Sequence, residues 1–427
     1  MGATQIRAVQ EGERFDEIET WPQDRLQSWH LERVRAVVSS AAQSSSFYRR
    51  LWRDAGLGPG DLQALPDLQR FPIVTKQGLI RNGAVWTGSK GPLAFSTRGT
   101  SGEPLLLWLH RGESEAFVVP TMRGYWWAGF RPGMTALLMS PAWHRLAAME
   151  AHAVVRLGGR CAFFWGSMGP RYLDSFLQTL VEVRPDFVTS TAPFLLSVLR
   201  RCQDEGRDPR QLFAGVRSTL LVGLPLTPNL RVHLRDRLGV GDVFERSGTQ
   251  EGAALDECAL HTAPHVHSDV CLLEVAGSRG RPVRLGTRGR LVVTKLVEGG
   301  SPFVRYDTGD IAEMLPSACG CGRTLDRLKI FGRPESSVTV AGKLITAYDV
   351  RQCVEEDPAL VGRLILLVRE RGGPASVLGV ALEGEPTNAA DLHERLGEQF
   401  GVEVSLTWLG GARIGWGFRQ VMDRAEV

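Results

Sequence analysis

The chain has 427 residues, 43% of them hydrophobic, with 50 Lys or Arg against 47 Asp or Glu and a net charge of +3. Its length exceeds the ~250 to 300 residues at which a single core stops growing, so two or more domains are expected. The near-balanced charge gives no polybasic surface for nucleic acid or a membrane, no apolar run reaches the ~18 residues of a membrane span, and residues 1–14 are polar, so a cytoplasmic protein is expected.

Residues 24–55 carry helical spacing (Leu26, Trp29, Leu31, Val34, Val37, Val38), which the glycines at 56, 58 and 60 break. Next comes Phe95-Ser96-Thr97-Arg98-Gly99-Thr100-Ser101-Gly102-Glu103-Pro104, where hydroxyls and glycines alternate with nothing bulky between Gly99 and Gly102. Glycine allows close backbone approach, successive N–H groups form an anion-binding nest, and Ser and Thr hydroxyls add donors to phosphate oxygens. A nucleoside triphosphate is the expected ligand. The loop is not of the Walker type, because no lysine follows Gly102.

From about 92 to 240, short apolar runs alternate with amphipathic stretches. Residues 134–139 and 186–190 read as buried strands, and 171–183 and 193–204 as helices between them, which predicts a parallel sheet with helices on its faces. Residues 266–275 and 289–297 read as strands of a smaller antiparallel or barrel-like subdomain. Arg333-Pro334-Glu335 marks a boundary, giving domains at 1–333 and 334–427. The second reads as strand, helix 347–356, strands 364–369 and 377–382, helix 391–400 and a strand near Val404, an α+β module.

The chain has seven cysteines, an odd number scattered along its length, unlike a secreted disulfide framework. Cys258, His261, His265, Cys319 and Cys321 instead offer the soft and borderline ligands that tetrahedral zinc prefers. Cys319 and Cys321 flank a glycine in a loop, where thiols have little packing to do. The expected ligands are Cys258, His265, Cys319 and Cys321, with His261 the rival fourth, and a closed set of this kind is structural.

Taken in order, these segments resemble the phenylacetate–coenzyme A ligase branch of the adenylate-forming superfamily over nearly the whole chain. Ser46-Phe47-Tyr48-Arg49-Arg50-Leu51 and Phe71-Pro72-Ile73-Val74-Thr75-Lys76 are similar to its opening signature, followed by the loop at 95–104. Ser247-Gly248-Thr249-Gln250-Glu251 is similar to the family's Tyr-Gly-x-Thr-Glu, and Pro302-Phe303-Val304-Arg305-Tyr306-Asp307-Thr308-Gly309-Asp310 to its Pro-x-x-Arg-Tyr-x-Thr-Gly-Asp. Cys319-Gly320-Cys321-Gly322-Arg323-Thr324 and Phe331-Gly332-Arg333 follow in the family's order.

The resemblance implies a large α/β N-terminal domain with parallel sheets and a β subdomain, and a small mobile α+β C-terminal domain turning on a hinge at Glu335. It implies ATP-dependent activation of an aryl or bulky carboxylic acid to the acyl-AMP, then transfer to a thiol such as coenzyme A. Asp310 would hold the ribose and Glu251 the Mg2+ that accompanies ATP. Thr100 and Arg305 would serve catalysis, and Ser96, Thr97, Gly99, Thr100, Ser101, Gly102, Ser247, Gly248, Thr249, Gln250 and Arg333 would line the nucleotide. Arg123, Tyr125, Trp126, Ala192 and Gly223 fall where the family lines its acyl pocket.

Three departures stand out. Ser247 replaces an aromatic residue, Gln250 replaces Thr, and alignment on Val421-Met422-Asp423 puts Gly417 where the family's C-terminal lysine belongs. No lysine follows Lys343, so Arg413 or Arg419 is the expected substitute at the reacting carboxylate, Arg419 being taken as catalytic. A relative in a specialised biosynthetic pathway, acting on an unusual nucleophile or transferring to an amine, is the alternative enzyme, and a non-catalytic nucleotide-binding descendant the alternative class. The identity of the acid and acceptor, and whether the protein is a homodimer, stay open at this level.

Overall fold

The structure is a computed structural model describing residues 14–82, 93–97, 103–139, 145–164, 172–369, 376–410 and 420–423. The chain divides into two compact units, Met1–Phe163 with Arg246–Lys329, and Phe164–Glu245 with Ile330–Val427.

In the first unit the helical spacing at 24–55 forms two helices, Gln23–Ser44 and Ser46–Asp54. Ser45 leaves the helical region at φ −115°, ψ 113°, and its side chain accepts the Tyr48 N–H, capping the second helix. Helix Arg111–Trp127 follows a short antiparallel hairpin, Leu93–Ser96 with Leu106–Leu109, whose connection is the glycine-rich loop. Thr135–Leu138 pairs in parallel with Arg160–Phe163. The β subdomain is antiparallel: Cys271–Ala276 pairs with Arg288–Lys295, which pairs with Tyr306–Leu315.

One local reading differs from the structure. Residues 266–275 are not one strand: His265–Val266 ends at a turn, and Cys271–Ala276 begins after it. The turn, closed by Val270 N–H donating to His267 O at 3.1 Å, places His267, Ser268 and Asp269 where interior partners take them, overriding the strand-like alternation. The Thr-Gly-Asp segment lies inside Tyr306–Leu315. There, the two steps from Arg290 to Val292 are matched by four from Ile311 back to Asp307. Thr308, Gly309 and Asp310 thus bulge opposite Leu291, with Gly309 at φ +78° and Thr308 Oγ1 donating to Leu291 O at 3.2 Å. Bulges of this kind re-aim a side chain beside a functional site.

In the second unit Phe187–Ser190 pairs in parallel with Ser218–Val222, and helices Leu173–Val183 and Ala192–Asp204 flank the first strand in sequence. Toward the C-terminus a four-stranded sheet runs in the order Glu403–Trp408, Val377–Leu382, Ile365–Arg369, Val421–Asp423. Helices Ala347–Val354 and Ala389–Phe400 supply Val350, Val354, Leu392 and Leu396 to its core. This is the α+β content expected after residue 334, preceded by a tight hairpin, Ser337–Val340 with Lys343–Thr346, turned by Ala341 and Gly342 at φ +47° and +77°. Among the described residues no helix is long and apolar enough to cross a membrane.

Candidate nucleotide site and metal centre

The opening signature, the segment 247–251 and the segment 302–310 meet in the first unit. Tyr48, fully buried, accepts the Val304 N–H at 3.1 Å and donates its hydroxyl to Pro302 O at 3.2 Å. Val74 N–H donates to Arg305 O and Asp307 N–H to Val74 O, both at 2.9 Å. Both parts of the opening signature therefore grip the segment 302–307. The third contact is Tyr306, whose hydroxyl lies 3.4 Å from Glu251 Oε1. Glu251 sits in a turn built by close backbone approach. Gly248 faces Ala254, and a Cβ on Gly248 would stand 2.6 Å from Ala253 O. Thr249 N–H donates to Ala253 O at 3.0 Å, and Gly252 N–H returns to Thr249 O at 3.3 Å.

Asp310 is the last residue of the bulge, its N–H donating to Thr308 Oγ1 at 3.1 Å. At the hairpin end, Thr97 N–H donates to Leu105 O and Thr97 Oγ1 accepts the Leu105 N–H, both at 2.9 Å. Ser96 and Thr97 thus close the base of the glycine-rich loop. Gly99, Thr100, Ser101 and Gly102 lie outside the described residues, as do Arg413, Gly417 and Arg419.

Two arginines singled out in the sequence have other partners. Arg305, at φ +49°, gives Nε and Nη2 to the two Glu274 oxygens at 3.0 Å, Nη2 to Gly280 O at 2.9 Å, and Nη1 to Gln69 O at 2.9 Å and Phe71 O at 2.7 Å. A guanidinium has five N–H donors, and all are spent on protein, so Arg305 is a strut tying 69–71 and 280 to the motif strand. Arg305→Met leaves the part-buried Glu274 without its cation. Losing one member of a buried pair typically costs about 3–5 kcal/mol, so the urea midpoint of unfolding is expected to fall accordingly.

Arg123, read as an acyl-pocket candidate, is 1% exposed and divides its guanidinium between Asp16 and Asp269, with Nη1 also 3.0 Å from His267 Nδ1. His267 Nε2 in turn donates to Asp256, which Arg246 grips at 2.7 and 3.1 Å. A helix residue that looks solvated in sequence is thus held inside by carboxylates from distant segments. Burial alone would raise the Asp269 carboxyl, but Arg123 overrides it and holds the group below its ordinary value. A depressed carboxylate contributes stability above its unfolded pKa and loses it as pH falls through the folded value. Unfolding free energy is therefore expected to drop below about pH 4, and Asp269→Asn, less stable at pH 7, should show a shallower acid drop in urea titrations.

Tyr125 and Trp126 also sit in the core, Trp126 beneath the Arg131 guanidinium at 4.0 Å. Ala192, Gly223 and Arg333 belong to the second unit. Ala192 opens a helix capped by Thr191, Gly223 follows a strand at φ +99°, and Arg333 precedes the short turn Pro334–Ser336.

The metal reading converges on one place. Ligand atoms of Cys258, His265, Cys319 and Cys321 all lie within 4.8 Å of one another. Cys258 Sγ is 3.9 Å from Cys319 Sγ, and Cys321 Sγ is 3.5 Å from His265 Nε2. Tetrahedral zinc with Zn–S of ~2.3 Å and Zn–N of ~2.0–2.1 Å requires S···S of about 3.8 Å and S···N of about 3.6 Å, so the donor set fits. Burial, reinforced by Arg323, pushes the His265 imidazole down to about 4, leaving it neutral at physiological pH, as a ligand must be. His261 is not in the cluster. It turns at φ +49° and its Nδ1 lies 3.2 Å from Glu257.

No protein-family model matches the chain. The fold is that of adenylate-forming coenzyme A ligases. A 2-hydroxyisobutyryl-CoA ligase, solved in its postadenylation state with 2-HIB-AMP, superposes with a TM-score of 0.85 at 22% identity, covering 96% of this chain and 91% of that one. Within that class the sequence is similar to the phenylacetate–coenzyme A ligases, which are AMP-forming ligases. It is 26% identical over 368 residues to the enzyme of Thermus thermophilus, covering 83% of this chain and 81% of the relative. Against that of Aromatoleum evansii it is 25% identical over 404 residues, covering 91% and 89%.

Proposed function

We propose that the protein activates a carboxylic acid with ATP to an acyl-adenylate, releasing pyrophosphate, and passes the acyl group to coenzyme A. The observation that carries this reading is the meeting of Tyr306 with Glu251, which sets the strand bearing Asp310 beside the turn bearing a carboxylate suited to a hard cation. The similarity to phenylacetate–coenzyme A ligases along most of the chain supports it.

In this reading the Asp310 carboxylate accepts hydrogen bonds from both ribose hydroxyls, and the loop based on Ser96 and Thr97 wraps the polyphosphate. Glu251 holds Mg2+, which neutralises charge on the departing pyrophosphate; magnesium typically takes one or two protein carboxylates beside phosphate and water. Catalysis is then positioning plus electrostatic stabilisation. Arg123 and Arg305 act as structural members, and the Cys/His cluster holds a structural zinc. Residues 334–427 form the C-terminal domain that alternates between the half-reactions.

ATP–pyrophosphate exchange across a panel of acids, aryl acids first, tests the reading; exchange with none of them sinks it. A second reading, transfer to an amine, is motivated by the departures at Ser247 and Gln250 and by the absence of lysine beyond Lys343. Product analysis with coenzyme A and amines offered together separates the two.

A further inference from the structure

Lys295, one of five lysines in the chain, ends strand Arg288–Lys295 and pairs with Glu113 at 3.0 Å, each side chain 2% exposed. Its ammonium also donates to Ser301 O at 2.6 Å and reaches Gly299 O at 3.4 Å. A buried ion pair is tolerated when such additional acceptors complete it, and here each of the three ammonium hydrogens has one.

The pair lies between the strand Leu106–Leu109 and the turn bearing Glu251. On one side, Ser301 and Trp108 exchange hydrogen bonds, Trp108 N–H to Ser301 Oγ at 3.2 Å and Ser301 N–H to Trp108 O at 3.1 Å. Trp108 lies on the strand that leaves the glycine-rich loop. Gly300, at φ +60°, passes so tightly that a Cβ there would stand 2.5 Å from Trp108 O. On the other side, Gly252, adjoining Glu251, rests on the lysine stem: a Cβ at Gly252 would stand 3.1 Å from Lys295 Cγ. The ammonium is also 5.7 Å from the centroid of Phe303, whose ring meets that of Tyr306 at 5.0 Å.

We propose that Lys295 is a positioning residue for the nucleotide: its ion pair with Glu113 fixes the separation between the strand Leu106–Leu109 and the turn bearing Glu251, and so the place of the polyphosphate's cation. This rests on the nucleotide reading above. The test uses Lys295→Met and the double variant Lys295→Met/Glu113→Gln, which leaves no unpaired buried charge if the single variant fails to fold. MgATP affinity is measured by calorimetry, and KM values for MgATP and for the acid by pyrophosphate exchange. A rise of about tenfold or more in the MgATP KM, with the acid KM within about twofold of wild type and the double variant's unfolding midpoint near the wild-type value, supports the proposal; tenfold corresponds to about 1.4 kcal/mol. A folded double variant with a wild-type MgATP KM overturns it. Both KM values rising together also overturns it, because general loosening would move both. Wild-type protein that does not bind MgATP removes the nucleotide reading and the proposal with it.

Discussion

Glu251→Gln and Asp310→Ala are each expected to cut ATP–pyrophosphate exchange by about 10²-fold or more, the scale of a lost transition-state contact in a site excluded from water, with the unfolding midpoint unchanged. The two substitutions should separate kinetically. Asp310→Ala removes a contact to a part of the nucleotide that does not react, so it should raise the MgATP KM strongly. Glu251→Gln keeps the shape of the side chain and removes the anion, so its effect should fall on kcat and be relieved in part by raising magnesium. The geometry leaves little room for substitution: Glu251 stands on a turn fixed by Gly248 and Gly252, and Asp310 ends a bulge fixed by Thr308. Near-normal exchange in both variants would remove the adenylate-forming assignment.

The second large effect concerns the Cys/His cluster. Protein purified without added metal is expected to carry one zinc per chain, and Cys319→Ser or Cys321→Ser to carry none. Cys258 and His265 flank one turn-rich segment and Cys319 and Cys321 lie in another, so a zinc ion there would clamp two segments that, among the described residues, share the strand pairing of His265 with Arg327. Structural zinc contributes binding free energy directly to folding. Loss of even ~3 kcal/mol shifts the melting temperature by roughly 10 °C in a domain of this size, so chelation should lower it by at least that much in a calorimetric scan. Zinc near zero, with both Cys319 and Cys321 titrating as free thiols, would leave them as ordinary loop cysteines.

The sequence was most legible where local chemistry and fold agree. Leu26, Val34, Val37 and Val38 do line the buried face of the first helix, and the four expected zinc ligands come together because thiol and imidazole are rarely grouped without cause. What stayed hidden depends on partners far along the chain. Arg123 reads as solvated from its helix alone; only the arrival of Asp16 and Asp269 makes its burial favourable. The bulge at Thr308–Asp310 is set by a register with Leu291 that no local pattern encodes. His265-Val266-His267 alternates like a strand, yet the chain turns there because His267 finds Asp256 and Arg123. The hairpin at Ala341-Gly342 lacked the Asn-Gly or Asp-Gly signal that marks such turns.

The first unit is discontinuous in the chain, and its early residues clasp its last ones. Gln23 Nε2 donates to Thr324 O across 301 residues, and Arg323 closes on Glu19 at 2.8 Å. During synthesis at ~5–20 residues per second, the segment around Glu19 waits roughly 15–60 s for residues 305 positions later. For most of that interval the first helix shows its apolar face with no Ser268 to receive His30, 238 positions later, while residues 164–245 of the other unit are made. Yield of active protein should therefore depend on translation rate and on chaperone supply, because the half of the molecule proposed to bind the nucleotide cannot close until residues 323 and 324 are made.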